Sequence, residues 1–129
     1  MIYTYAYDTT YPGPAMPVVE IQINQIGKET DSVVVQALVD SGADGSILPI
    51  RYLRQINARR VDTRRMRGVS GVSYAVDIYE VRVQLGPILL PKVYAVANRS
   101  NDETILGRDV LNHLVVTLNG LASVVEVSM

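Results

Sequence analysis

The sequence predicts a mainly β protein, a closed or sandwich-like β-barrel with one or two short helices. Apolar side chains recur mostly at every second position, which is the period of a half-buried β-strand. Near the end of the chain the dipeptide Asn119-Gly120, which favours a two-residue hairpin turn, separates two β-branched runs. The 129 residues, of which 48% are hydrophobic and 19% are charged, suit a single folded domain over residues 1–129.

The predicted strands follow one another at the spacing expected for a barrel of roughly six to eight strands. Tyr3, Tyr5 and Tyr7 alternate in an N-terminal arm or edge strand, residues 1–16. The nearly continuous β-branched run at 33–39 predicts a strand buried on both faces. The other predicted strands cover residues 18–25, 74–85, 88–97, 115–118 and 121–127, the last within a C-terminal hairpin or strand, residues 119–129.

Two short segments carry a helical pattern instead. Ser46 is placed to cap a helix that begins near Pro49, where apolar residues then recur on one face. Residues 108–114 gather their apolar side chains on a common face in the same way. The sequence therefore predicts two helices, each only a few residues long.

Composition excludes several kinds of site. The chain has no cysteine, so it has no disulfide, no thiol nucleophile and no thiolate metal ligand. Its one histidine, His113, is too few for a multi-histidine zinc site within one chain, and we expect no metal and no cofactor. The N-terminus lacks the basic start and apolar run of a secretory signal. No apolar run is long enough to span a membrane, so we expect a soluble, cytoplasmic protein without a membrane partner.

The first segment that can carry chemistry is Asp40-Ser41-Gly42-Ala43-Asp44, which follows an apolar strand. The strand would hold the Asp40 carboxyl at the edge of a rigid core. Gly42 allows a tight turn in which backbone N–H groups point at that carboxylate, and the Ser41 hydroxyl can fix the loop. Taken alone, the triplet Asp40-Ser41-Gly42 also fits an ordinary surface turn.

A second segment, Ile105-Leu106-Gly107-Arg108-Asp109, begins 65 residues after Asp40. It consists of an apolar strand end, a glycine and a charged helix start. In this order and at this spacing, the two segments resemble those of the retropepsin-like aspartic proteases, the single-lobed family that includes retroviral proteases and their cellular relatives. The resemblance covers about residues 17–118 and implies the closed β-barrel of that family.

The resemblance implies an aspartic endopeptidase, in which two aspartates activate a water molecule against a peptide bond. This chain holds one Asp-[Ser/Thr]-Gly copy, whereas the two-lobed pepsin-like enzymes carry two. The second carboxylate therefore has to come from Asp40 of another chain. The expected partners are a second copy in a homodimer and an extended polypeptide substrate. We expect activity at mildly acidic pH, because the pair of carboxylates must keep one proton.

The same resemblance assigns further roles. It makes Asp40 the catalytic residue, with Ser41 and Gly42 supporting the active-site loop. It also makes Asp44 and Arg108 a structural ion pair, although both charges could instead be solvated at the surface. The glycine-rich turn between the two segments corresponds to a flap tip that closes over substrate. The substrate-binding residues that the resemblance implies are Gly42, Ala43, Asp44, Gly68, Val69, Ser70 and Gly71.

Other interpretations stay open from the sequence. A non-catalytic peptide-binding or assembly module could use the same barrel and groove without cleavage. Seven of the twelve basic residues lie in 51–67 against a single acid, Asp62, which would suit an acidic partner or nucleic acid. We interpret this segment instead as a solvated helix face and an outer strand, so no nucleic-acid partner is expected.

The chain departs from the retroviral pattern at its ends. Residues 1–16 and the hairpin that follows Asn119 have no counterpart there, so the sequence leaves open which terminal strands form the dimer interface. The retroviral pattern also places an N-terminal arginine against the aspartate of the second segment. The first fifty residues contain no arginine, so that bridge is missing or replaced.

Overall fold

Ten β-strands and two short helices follow one another along the chain, and a computed structural model describes all residues, 1–129. Strands dominate because β-branched side chains recur with a period of two rather than with the 3.6 of a helix. The elements are β1 (Tyr3–Ala6), β2 (Val18–Asn24), β3 (Val33–Val39), β4 (Ile47–Pro49), α1 (Ile50–Gln55), β5 (Arg59–Arg67), β6 (Ser73–Leu85), β7 (Ile88–Asn98), β8 (Ile105–Leu106), α2 (Arg108–Leu111), β9 (Val115–Asn119) and β10 (Val124–Ser128).

Six of the strands form a nearly closed ring. The larger sheet has the order β2-β3-β8-β4-β7-β6-β5, and β2 also pairs with β6 through Gln22↔Gln84 and its neighbours, which closes the ring. β5 lies outside the ring and continues the sheet from the first half of β6. The prediction of a closed, mainly β barrel with one or two short helices is confirmed.

A core of 20 buried apolar residues fills the ring and joins it to α1, α2 and β10. β2 contributes Val19, Ile21 and Ile23, and β6 contributes Val81 and Val83, none of them more than 2% exposed. Burying a side chain of this size stabilises a fold by about 1.5–3 kcal/mol. The core therefore holds the strand ends in fixed positions, including the end of β3, where Asp40 follows.

β3 differs from its prediction. Val33, Val35 and Ala37 are buried, whereas Val34 is 58% exposed and Gln36 is exposed. The strand thus has the core on one side only, and the prediction that it is buried on both faces is wrong. The exposed Val34 is what made the apolar run look continuous in the sequence.

The start of α1 also differs from its prediction. The helix follows Pro49, which occupies the N-cap position and makes no side-chain capping hydrogen bond. Ser46 is buried one residue before β4, at 2% exposure, and does not cap the helix. The predicted cap is wrong because the Ser46 hydroxyl is bonded to residues of the second motif segment instead.

The terminal strands form a separate three-stranded sheet in the order β1-β10-β9. β9 and β10 are joined by four residues, 120–123, so the predicted two-residue turn is wrong. The Asn119 side chain accepts a hydrogen bond from the Ala122 N–H at 3.0 Å and so holds the longer loop. Val125 and Val127 of β10 are buried against the barrel, which fixes this sheet to the main body. Neither helix is long and apolar enough to cross a membrane.

Candidate active site

The Asp40 loop begins where β3 leaves the core. The Asp40 N–H donates to the Leu106 carbonyl at 3.0 Å, which ties the start of the loop to β8. The Gly42 N–H donates to Asp40 Oδ1 at 2.9 Å, and the Ala43 N–H donates to the Asp40 carbonyl at 3.2 Å. Asp40 is half-buried, and Ser41 and Gly42 are exposed. The loop therefore presents one carboxylate, held by a backbone N–H, at the surface of a single chain.

The two motif segments lie side by side. β8 runs parallel to β3, with Leu38 opposite Ile105 and Val39 opposite Leu106. A Cβ atom at Gly107 would lie 2.8 Å from the Ala43 carbonyl oxygen and equally close to the Gly45 carbonyl group. Only glycine permits this approach, and it brings the Asp40 loop directly against the start of α2.

Arg108 holds the Asp40 loop from outside. Its Nη2 group donates to the Asp44 carboxylate, and its Nη1 group donates to the Ser41 carbonyl at 2.8 Å. The Arg108 N–H also donates to the Ala43 carbonyl at 2.9 Å. One planar guanidinium thus binds two points of the loop, a geometry that a lysine could not supply.

Ser46 and Asp109 form a buried link that sequence reasoning missed. The Ser46 N–H and hydroxyl donate to the two Asp109 carboxylate oxygens at 3.0 and 2.8 Å. The Ser46 hydroxyl also accepts from the Gly107 N–H at 3.1 Å. The sequence offered no direct signal for this link, since it depends on how the two segments fold against each other.

The glycine-rich turn forms the tip of a long hairpin made by β5 and β6. At this tip the Gly71 N–H donates to the Gly68 carbonyl at 2.9 Å, and Gly71 has a φ of +81°, which favours glycine. Val69 is fully exposed, so the side chain at the point of the tip packs against nothing within one chain. A hairpin of this kind can move as a unit over a neighbouring cleft.

The base of this hairpin is held by charged groups around Asp77 of β6. Arg99 Nη2 donates to Asp77 Oδ2 at 3.0 Å, and the Thr63 hydroxyl donates to Oδ1 at 3.1 Å. Arg60 Nη1 lies 3.5 Å from the same Oδ1. The hydrogen bond from Arg99, then that from Thr63, lowers the pKa of the Asp77 carboxyl below its ordinary value.

Several arginines of the segment 51–67 form ion pairs with nearby carboxylates. Four of its seven arginines have a carboxylate within 4 Å, and the four are Arg51 with Asp102, Arg59 with Glu80, Arg60 with Asp77, and Arg64 with Asp62. β5, which carries most of the segment, is exposed along nearly its whole length. The segment is thus a solvated strand edge and helix face in which four of the seven arginines have an acidic partner.

A cleft of about 650 Å³ separates β5 from the Asp40 loop. Asp44 and Gly45 line it on the loop side, and Arg64, Arg65 and Met66 line it on the β5 side. The Asp40 loop and β5 therefore border the same groove. The tip residues, Gly68 to Gly71, do not line this cleft.

The family model described as "gag-polyprotein putative aspartyl protease" matches residues 19–113. The matched stretch contains both motif segments and the β5–β6 hairpin, and it spans most of the chain. The chain belongs to the gag-polyprotein aspartyl protease family. The resemblance to retropepsin-like aspartic proteases is thereby confirmed.

Solved structures share the fold of this aspartyl protease family member. A retropepsin-like aspartic protease from Rickettsia conorii superposes with a TM-score of 0.61 at 10% identity, over 100% of this chain and 95% of the other. The retroviral protease-like domain of Ddi1 from Leishmania major is 30% identical with a TM-score of 0.50, over 81% of each chain.

One relative of known sequence is considerably longer than this chain. DNA damage-inducible protein 1 of Chaetomium globosum is 26% identical over 95 residues, which cover 70% of this chain. The same match covers 21% of that protein, so the chain spans about a fifth of the relative's length. The likeness therefore concerns only a part of that protein.

Proposed function

We propose that this protein is an aspartic endopeptidase that hydrolyses peptide bonds in extended polypeptides as a homodimer. The observation that carries the proposal is the Asp40 loop, in which the Gly42 N–H holds the carboxylate at the end of a core strand, facing outward. Membership of the aspartyl protease family supports the same reaction. An ordinary surface turn would not need the buried link of Ser46 and Asp109 behind it.

The proposed reaction uses Asp40 from each of two chains. One ionised carboxylate takes a proton from water as the water oxygen adds to the peptide carbonyl carbon. The other, protonated, carboxyl gives its proton to the carbonyl oxygen, which yields a neutral tetrahedral diol. The C–N bond then breaks as a proton passes to nitrogen, and the products are a free carboxyl group and a free amine.

A single chain lacks the second acid of this reaction. No ion pair within the chain involves Asp40, and its carboxylate receives a hydrogen bond only from the Gly42 N–H. Two carboxylates within one hydrogen bond of each other keep a shared proton, because like charges at that distance cannot both stay ionised. A two-fold axis beside the Asp40 loops supplies that arrangement with identical chains.

The free edge of β9 supports a second copy as the partner. β9 pairs with β10 on one side and with nothing on the other. Natural edge strands are usually guarded by charge, proline or a bulge, yet residues 114–125 contain no charged residue and no proline, and the β9–β10 register is regular. Val115 and Leu118 are 58% and 51% exposed on this edge. An uncharged strand can pair with its own copy across a two-fold axis without like-charge repulsion.

The cleft and hairpin support an extended polypeptide as substrate. A polypeptide in β conformation would lie between the Asp40 loop and β5 and would form main-chain hydrogen bonds as an added strand does. The glycine tip, residues 68–71, would close over it and exclude water. The substrate-binding role of Gly42, Ala43 and Asp44 belongs to the same proposal.

The test compares the wild-type chain with Asp40→Asn on a denatured protein and a peptide library between about pH 4 and pH 7, a range that brackets ordinary and raised carboxyl pKa values. We expect kcat/KM to fall by about 10²- to 10⁴-fold in the variant, while sedimentation shows the same dimer. Equal cleavage by both proteins would overturn the role of Asp40. Binding of peptides without cleavage by either would favour the non-catalytic peptide-binding module.

A further inference from the structure

The cleft between β5 and the Asp40 loop is lined by apolar and by charged side chains. Ile78 of β6 and Val96 of β7 form an apolar floor, and Arg64 and Lys92 stand on the walls above it. Asp40 itself does not line this cleft, whereas Asp44, four residues further along the same loop, does. The cleft therefore lies beside the catalytic centre rather than at it.

Strand pairing shows which side chains face the cleft. Residues that pair across neighbouring strands point to the same side of a sheet. Asp62 pairs with Ile78, which lines the cleft, so Arg64 two residues later points to the cleft as well. Arg65, between Arg64 and Met66, alternates to the opposite side of the strand.

The same alternation holds in β7. Val93 and Ala95 are buried in the core, and Lys92 and Tyr94, which alternate with them, are exposed on the cleft side. The Lys92 ammonium group is thus a second cation on the wall of the cleft, on the strand that lies across β6 from β5.

The carboxylates that line the cleft already have partners. Asp44 is bonded to Arg108. Asp109 accepts hydrogen bonds from the Ser46 N–H and hydroxyl and from the Val110 N–H, at 2.8 to 3.0 Å. Neither is left to neutralise a cation within the cleft.

The cations of the cleft, by contrast, keep unused donors. Arg64 bonds Asp62 through Nε alone, at 2.9 Å, and both of its terminal NH₂ groups lack a hydrogen bond in the protein. The Lys92 ammonium is 4.0 Å from Glu80 Oε2, and the other oxygen of Glu80 is bound by Arg59 at 3.1 Å. The group that would satisfy these donors is a further carboxylate.

We propose that this cleft binds an acidic side chain, glutamate or aspartate, of the polypeptide substrate, and that Arg64 and Lys92 determine that preference. The proposal rests on the proposed peptidase function. Because the cleft adjoins Asp44 rather than Asp40, the acidic residue lies a few positions away from the scissile bond. Tyr94 and the apolar floor contact the methylene groups of the bound side chain.

The experiment first maps cleavage sites of the wild-type protein in a peptide library derived from whole-cell protein. Matched peptides then carry glutamate, glutamine or lysine at each position that flanks one mapped site. At one position, we expect glutamate to exceed glutamine by about threefold to tenfold in kcat/KM, chiefly through KM, at low salt. The preference should be lost in the double variant Arg64→Gln/Lys92→Gln and kept in Arg54→Gln, which removes an exposed arginine of α1.

Three outcomes separate this inference from the proposed function. Efficient cleavage with equal rates for glutamate and glutamine at every position overturns the acidic preference and leaves the peptidase function standing. A glutamate preference that survives in the double variant overturns the role of Arg64 and Lys92. If no peptide is cleaved, the peptidase function fails. Fluorescence anisotropy then measures the affinity of the same labelled peptides for the wild-type chain, which still tests whether the cleft prefers an acidic side chain. Equal affinity for glutamate and glutamine peptides would then overturn that preference.

Discussion

At the scale of single residues, Gly107 fixes how the two motif segments meet. Its Cα faces the carbonyl groups of Ala43 and Gly45, and a Cβ there would lie 2.8 Å from their atoms. Those atoms belong to the backbone, so they cannot turn aside as a side chain would. The position of the Asp40 loop thus depends on the absence of one methyl group.

We therefore expect Gly107→Ala to lower the free energy of unfolding by about 1–3 kcal/mol, the usual cost of overpacking a tight interior. Urea denaturation measures this cost. Gly120→Ala is the matched control, because a Cβ at Gly120 would meet nothing within 4 Å and its φ is not positive. Equal stability of the two variants would contradict the account.

Asp77 gives a prediction about pH. Hydrogen bonds from Arg99 and Thr63 lower the pKa of this carboxyl below 3.8 in the folded chain, so the unfolded chain binds the proton more readily. The stabilisation from Asp77 is therefore present above about pH 4 and is lost as the pH falls through the lowered pKa. Asp77→Asn should reduce the Tm at pH 7, and the difference from wild type should shrink steadily below pH 4. A difference that stays constant down to pH 2 would contradict this assignment, and Glu103→Gln, which removes an exposed acid without an ion pair, serves as the control.

Some residue roles can be predicted from the sequence, and others cannot. The turn at Asp40, Ser41 and Gly42 follows from local chemistry, because an apolar strand, an acid and a glycine are adjacent in the chain. The contact of Asp44 with Arg108 is predictable only with the resemblance to retropepsin-like aspartic proteases, because the two residues are far apart in the sequence. For Ser46 the sequence predicts the wrong role, because a serine shortly before a helix suggests a cap, and only the fold brings the distant Asp109 beside it.

At the scale of elements, the free edge of β9 is where we place the contact of the proposed homodimer. Its apolar residues and lack of charge leave it without the usual protection against pairing. Leu118 continues the buried face of the terminal sheet, since it pairs with Val125, which is 0% exposed, yet it is itself 51% exposed. A second copy against this edge would complete that face.

Leu118→Lys should therefore dissociate the proposed homodimer and abolish cleavage with it, because a lysine would face its own copy across the two-fold axis. Sedimentation velocity over a range of protein concentrations measures the change. Leu89→Lys is the matched control, since it places the same charge at a comparably exposed leucine, 44% exposed, on β7. A Leu118→Lys protein that stays dimeric would show that the interface lies elsewhere.

Elements with a clear period were predictable, and very short ones were not. β2 and β6 span seven and thirteen residues, and apolar and polar side chains alternate over most of each, enough to define a strand in the sequence. β4 and β8 have three and two residues, too few for any period, yet they link β3 to β7 in the ring. The sequence predicts a tight turn after Asn119 where the structure has a longer loop, because nothing in the dipeptide shows that the Asn119 side chain binds the Ala122 N–H.

At the scale of the whole molecule, the proposed active site needs two copies of one chain. The mainly β fold class follows from the period of the apolar residues and from composition, because the two-residue period recurs in most of the strands. Ring closure through β2 and β6 did not follow from them, since it depends on which distant strands meet. The active unit lies a further step beyond the chain, because one Asp40 supplies one carboxylate and the proposed reaction needs two.

The most direct test of that claim mixes wild-type protein with Asp40→Asn protein under conditions in which dimers exchange, and measures peptidase activity per wild-type chain. Random pairing at equal amounts leaves about half of the wild-type chains with a wild-type partner. If each site needs Asp40 from both copies, activity per wild-type chain falls to about half, and it falls further as more variant is added. Activity per wild-type chain that stays constant at every ratio would contradict a shared active site.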